Sequence, residues 1–264
     1  MEGITPESLL QQGLKILVLA RDVPDSGLPL PLLQGKPDFA AVSRILNPFD
    51  EVAIEAAVQL RQQFKEQYPD LPAEIVIVGN SGSAGVAAVE RALSLGGDRA
   101  LLLSDDGHEH QLMLPQLVAL IRDVSPHVVL LGRLAFGEEK GELAGLLAGK
   151  LGWSLAMAVS EVAISGTGLN FLQRRITQSR HALLLLPAVV SAELDLATPR
   201  YVTLPALVAA KRKPKQAYAP TSVAAGQSLF TSGGWQQPPS RQNGIKVKNV
   251  QDLLGRLSAQ GVVL

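Results

Sequence analysis

The chain contains no cysteine among its 264 residues. Disulfides, thiolate catalysis and cysteine metal sites are therefore excluded. It also lacks any run of roughly 18 apolar residues, the length that a membrane-crossing helix needs. Charge of one sign is not in excess, since lysine plus arginine equals aspartate plus glutamate, 24 against 24. Nothing here points to nucleic acid or an anionic membrane as the main partner. Of four histidines, His108 and His110 form the one close pair, in an acidic, glycine-bearing stretch that reads as a loop. No third ligand is spaced with them on an ordered element, so no metal site is expected. Catalytic constellations are missing as well. Serines have no adjacent base on a recognisable elbow, and carboxylates fall on helix faces and in loops. Chemistry, if the chain takes part in any, is expected to come from a bound cofactor. Glu2 and Glu7 make the start acidic, unlike a secretory signal, and a cytoplasmic location is expected.

Apolar residues reach 47% and charged ones 18%, enough for a sizeable core. The runs Leu14–Ala20, Glu74–Gly79, Ala100–Leu103 and His127–Gly132 are short and nearly continuous in apolar character, the look of parallel strands buried on both faces. Helical segments separate them. Asn47-Pro48 starts one, with Asn47 as cap, Pro48 at the first position and acids in the first turn. Ala53, Ala57, Leu60 and Phe64 share its inner face. Another helix closes at Leu95-Gly96-Gly97, a third is expected around Pro115–Val124, and a fourth over Leu143–Leu151, closed at Gly152. Alternating strands and helices imply βαβ units and a parallel sheet with right-handed crossovers. Ligands of such sheets sit past the carboxyl ends of the strands. Three loops are expected to converge there: Ala20–Pro24, Gly79–Ser83 and Gly132–Glu142. The glycine turn after Gly79 lacks both the Lys-Ser/Thr of a phosphate loop and the spacing of a dinucleotide fingerprint.

From Leu155 the pattern changes to extended segments joined by short turns, read as an antiparallel addition to the sheet. The apolar run Leu183–Val190 leads to Arg200-Tyr-Val-Thr-Leu-Pro-Ala-Leu207. There Thr203 is a plausible N-cap, Pro205 sits in the first helical turn, and Lys211, Arg212 and Lys213 crowd the negative end of the helix dipole. Leu204, beside the cap, either projects outward or tucks into the chain's own core. Residues 1–213 are expected to form the α/β domain. Residues 214–264 then form an extended arm, rich in proline, glycine, serine and glutamine as far as Asn243, with a short amphipathic helix near Val250–Leu257.

Leu186-Pro-Ala-Val-Val-Ser-Ala-Glu-Leu-Asp-Leu-Ala-Thr-Pro-Arg-Tyr-Val-Thr-Leu-Pro-Ala-Leu207 resembles the signature of the electron transfer flavoprotein β subunit. Ile45-Leu-Asn-Pro-Phe-Asp-Glu-Val-Ala-Ile-Glu-Ala-Ala57 is similar to a second family segment, and Ala92–Ala100 to a third. Pro238-Pro-Ser-Arg-Gln-Asn-Gly244 matches the family's tail more weakly. The resemblance runs from about Lys15 to the C-terminus. It implies an adenine-nucleotide-hydrolase-like α/β fold and a heterodimer with an α subunit that holds most of a redox-active FAD. It further implies that electrons enter from an acyl-CoA or amine dehydrogenase and leave to a membrane quinone oxidoreductase. In the family the leucine of the T-L-P step anchors the partner dehydrogenase. Leu204 matches it, with Tyr201, Thr203 and Pro205 as its neighbours at the docking site. The tail is implied to lie against the α subunit.

In the family the loop after the fourth strand binds AMP or a second FAD, and the implied nucleotide pocket here comprises Asn47, Pro48, Gly79, Gly132 and Gly141. The chain departs from the pattern at Glu139, Lys140, Glu142, Leu143 and Ala144, which removes the short amide and hydroxyl donors. Glu138, Glu139 and Glu142 place carboxylates about the helix start, with Lys140 to offset them. AMP is therefore expected to bind weakly or not at all. Two alternatives stay open: a non-redox adenine-nucleotide sensor of the same architecture, and a purely structural partner of an α subunit.

Overall fold

A computed structural model describes residues 13–104, 110–136, 140–166, 168–219, 239 and 243–262. The apolar runs form strands β1 (Leu14–Leu19), β6 (Ala73–Asn80), β7 (Arg99–Leu103) and β8 (Val128–Gly132). With β9 (Ser154–Val159), β13 (Ala188–Ala192) and β14 (Lys215–Tyr218) they build a seven-stranded sheet in the order β14-β7-β6-β1-β8-β13-β9. Every ladder in it is parallel. Side chains alternate across the pleat. Ile16 and Val18 of β1 enter one core layer with α1 (Pro48–Gln67) and α2 (Ser83–Leu95). Leu17 and Leu19 enter the opposite layer with α3 (His110–Val124) and α4 (Leu143–Leu151). This double burial explains why the strands read as continuous apolar runs rather than alternating ones.

Helix α1 follows its sequence pattern closely, with Ala53, Ala57, Leu60 and Phe64 buried. Its cap does not. The Asn47 side chain makes no capping bond to the first turn and reaches elsewhere. Helix α3 begins at His110, so Pro115 lies inside it rather than at its start. Proline there removes one backbone donor but leaves the rest of the ladder to continue.

The antiparallel strands stand as their own sheet, β10 (Glu161–Ser165), β11 (Gly168–Arg174) and β12 (Ser179–Leu185), in the order β10-β11-β12. Each long extended segment divides between the two sheets. The first breaks at buried Ser160, the second at Leu186-Pro187, where proline has no N–H to add to a ladder. The inner face of this small sheet, Leu169, Phe171 and Leu184, joins the core layer of α1 and α2. Strand β14 pairs with β7 at the far edge of the main sheet, so the chain stays in the sheet as far as Tyr218. Short strands β2 (Asp22–Pro24) and β5 (Arg44–Leu46) pair antiparallel. No helix among the described residues is long and apolar enough to cross a membrane.

A second compact unit comprises Leu32–Pro37 and, among the described residues, Pro239 and residues 243–262. Leu32–Leu33 (β3) and Lys36–Pro37 (β4) pair as a hairpin. Its helix α6 (Val250–Ala259) is capped by Asn249, whose side-chain oxygen accepts the Asp252 N–H at 2.9 Å. Val250, Leu253 and Leu254 of α6 are exposed.

Candidate functional site

Strand β1 lies between β6 and β8, so the loops that leave their carboxyl ends meet at the switch point of the sheet. There Arg21 and Asp50 form a buried ion pair. Arg21 Nε donates to Asp50 Oδ2 at 2.8 Å and Nη2 to Oδ1 at 2.6 Å. The Arg21 backbone N–H reaches Oδ2 at 3.0 Å, and the Gly132 N–H reaches Oδ1 at 2.7 Å. Arg21 Nη2 also donates to the carbonyls of Gly132 (3.0 Å) and Leu134 (3.3 Å). A carboxylate with no solvent exposure is tolerated because its lone pairs are matched by charged and backbone donors. One residue on α1 thus ties the end of β1 to the end of β8.

Asn47 completes this hub. Its backbone N–H donates to Arg21 O at 2.8 Å. Its side-chain Nδ2 donates to Leu134 O at 2.9 Å, while Oδ1 accepts the Phe136 N–H at 3.3 Å. Pro48 is the first residue of α1. Gly132 lets the strand end approach that helix, since a Cβ there would lie 2.3 Å from Phe49 Cβ. Gly79 does the same for α2, with a Cβ falling 2.4 Å from Val89 Cγ2. Gly141 adopts a positive φ of 25° before α4. A small cavity of about 30 Å³ at this edge is lined by apolar side chains of β1, β6, β7, α3 and α4 together with Arg21, Gly79 and Asn80.

Of the residues expected around a nucleotide, Asn47, Pro48, Gly79 and Gly132 therefore come together at one edge but serve the chain's own contacts. Both ends of the Asn47 amide and the Arg21 guanidinium have internal partners. Glu138 and Glu139 lie outside the described residues, as do the side chains of His108 and His110. Sequence reasoning missed Arg21 and Asp50. Asp50 was visible as an acid in a first helical turn, but its partner lies 29 residues away on another element.

The expected docking residues lie on the segment from β13 into α5 (Leu204–Arg212). Thr203 caps the helix, its Oγ1 accepting the Ala206 N–H at 3.4 Å, and Pro205 sits in the first turn. Leu204 is 74% exposed and Tyr201 is 99% exposed, so Leu204 does not tuck into its own core. Leu207 and Val208 are exposed too, and with Leu204 they follow the i, i+3, i+4 spacing of one helix face. The opposite face packs through Ala210. Lys213, placed by sequence at the end of its own helix, instead donates from Nζ to Leu93 O (2.9 Å) and Gly97 O (2.5 Å) at the end of α2. Burial holds the Lys213 ammonium below its ordinary pKa, against the attraction of Asp98.

A second buried carboxylate of α1 holds the chain just before this helix. Arg200 Nε and Nη2 donate to Glu55 Oε2 and Oε1 at 2.7 and 2.8 Å, and the Arg200 N–H reaches Oε2 at 3.3 Å. Burial alone would raise the Glu55 carboxyl, but the bonds and charge of Arg200 outweigh it and hold the group below its ordinary value. This pair joins the two most distinctive sequence segments, 45–57 and 186–207, and neither segment announces it alone.

The molecule is thus an α/β protein with a parallel sheet, a closed polar hub at its switch point and an exposed apolar helix start at one edge. The family model of the electron transfer flavoprotein domain matches residues 39–223, and the chain belongs to that family. It is similar to the human protein described as electron transfer flavoprotein subunit beta, 30% identical over 260 residues, covering 94% of this chain and 98% of the human one. The subunit beta of Bradyrhizobium diazoefficiens is 28% identical, covering 86% of this chain and 90% of its own. That of Dictyostelium discoideum is 26% identical, covering 95% and 99%.

Proposed function

We propose that this chain is the β subunit of a heterodimeric electron transfer flavoprotein. It carries electrons from a dehydrogenase to a quinone-linked acceptor through an FAD held mainly by the α subunit. The observation that carries the reading is the exposed Leu204 on a capped, ion-paired helix start, in a chain of this family. A free leucine at that exposure gains little from its own fold. Transferred into a partner's pocket it contributes roughly 1.5–3 kcal/mol. The bound flavin supplies the electron chemistry. The residues of this chain supply recognition and one wall of the assembly, and none is assigned an acid, base or nucleophile.

Further apolar surface supports a covering α subunit. Leu183 and Leu185 on β12 are about half exposed, as expected of an outer sheet face awaiting a partner. The exposed side of α6 has the same character, and the arm that carries it is assigned to wrap the α subunit. Adenine nucleotide is not part of the assignment, because the polar groups at the sheet's switch point already have partners. The same fact weighs against a nucleotide sensor. A cytoplasmic heterodimer is the setting that this reading implies.

Co-expression with the α subunit tests the reading. The two chains should purify together at 1:1, show a visible flavin spectrum, and release one FAD per dimer and no stoichiometric AMP on denaturation. Failure to assemble, or a colourless dimer, contradicts the electron-carrier role. A full equivalent of AMP, or a second FAD, contradicts the closed hub.

A further inference from the structure

Between Ala192 and Leu204 the chain has no regular structure, yet it is held at successive points. Glu193 pairs with Arg133 at 2.9 Å, and its N–H donates to Val159 O at 3.0 Å. Asp195 pairs with Arg174 at 2.8 Å, and Leu196 is buried. Beyond Leu196 the strap runs without regular structure to the Thr203 cap. There Val202 packs partly against the core, and Arg200 commits its N–H and both ends of its guanidinium to one carboxylate.

That carboxylate is unusual in its place. Glu55 is 4% exposed on the inner half of α1, with Ala53, Ala56 and Ala57 buried around it. An ion pair so placed adds little stability over an apolar side chain of similar size. What it does supply is direction. A bidentate guanidinium–carboxylate fork fixes both the position and the orientation of the arginine. The next residue is Tyr201, and the cap and Leu204 follow within one turn.

We propose that Glu55 is the positioning residue of the docking edge. By holding Arg200 it fixes the strap 197–203, so that Tyr201, Leu204, Leu207 and Val208 meet a partner as one preformed surface. The inference rests on the proposed docking role of that edge. Its physical basis is preorganisation: a segment ordered before encounter does not lose that freedom on binding. Glu55 acts through Arg200 and is assigned no catalytic role.

The test uses intact heterodimer carrying Glu55→Gln, Arg200→Gln or Leu204→Ala. Two readouts are taken. One is amide hydrogen exchange over residues 200–207. The other is the steady-state KM and kcat of an acyl-CoA or amine dehydrogenase that reduces the wild-type heterodimer. Glu55→Gln and Arg200→Gln should each speed exchange in 200–207 about tenfold or more, with the amides of β1 and β6 unchanged. Both should raise KM about fivefold while kcat stays near wild type. Because Arg200 is half exposed, its variant remains informative if Glu55→Gln fails to fold. Unchanged exchange in Arg200→Gln overturns the proposal, as does faster exchange with an unaltered KM. Leu204→Ala separates the two layers of argument: it should raise KM with exchange unchanged. If its KM is normal, the docking role fails, while the exchange data still report whether Glu55 holds the strap.

Discussion

Two regions of the molecule hang on the same helix and use it in opposite ways. At the start of α1, Asn47 and Asp50 turn inward at the switch point of the sheet, each side-chain polar atom matched by Arg21 or by the backbone at and just after the end of β8. Two turns later Glu55 reaches out to Arg200 and holds an apolar edge open to solvent. The first region lies where α/β proteins ordinarily keep a ligand, and it has the chemistry of a finished core. The second lies off that axis and has the chemistry of an unfinished interface. Location in the fold therefore does not decide where the function sits. The state of the donors, acceptors and apolar faces does.

The contrast breaks most visibly at Asp50. Asp50→Ala leaves Arg21 and the Gly132 amide without their acceptor in a buried site, so unfolding should cost about 3–5 kcal/mol less than in wild type. Chemical denaturation of the heterodimer measures this. A loss under about 1 kcal/mol would mean that the hub is not what closes this edge. Gly132→Ala comes next. Its new methyl meets Phe49 and the backbone of α1, and overpacking of that kind costs roughly 1–3 kcal/mol. A variant as stable as wild type would show slack between β8 and α1 that the closed hub does not allow.

Much of this architecture is legible in the sequence, but unevenly. The strands β1, β6 and β8 are readable because burial on both faces makes them continuously apolar. The helix start at Thr203 is readable because cap, proline and terminal cations agree. Leu204 could not be settled that way. One leucine beside a cap has no periodicity to say which way it points, and only the packing of α5 through Ala210 does. Pairings across distance were not legible either. Glu55 and Arg200 are 145 residues apart, and a glutamate among alanines on a helix reads as a solvated face. The division of residues 154–192 between two sheets escaped for a related reason: apolar content marks a strand, not the sheet it joins.

A smaller effect is expected at Glu55 as pH falls. With its folded-state pKa depressed, Glu55 contributes its hold on Arg200 fully above the ordinary value of 4.5 and loses it as pH falls through the lowered one. The NMR signal of the Arg200 Nε–H should keep its bonded shift from neutral pH down to that ordinary value and move only below it. Movement at higher pH would show that the pair is not formed in solution.

Smallest in stability and most direct in meaning is Leu204→Ala. The side chain is already mostly in water, so the melting temperature and flavin content of the heterodimer should match wild type. Electron transfer from the dehydrogenase that serves it should nevertheless weaken about tenfold, through KM, from the loss of one buried leucine at the encounter. A clear drop in melting temperature with normal electron transfer would contradict the central claim. It would make Leu204 a piece of the fold, and leave the edge it marks without a partner.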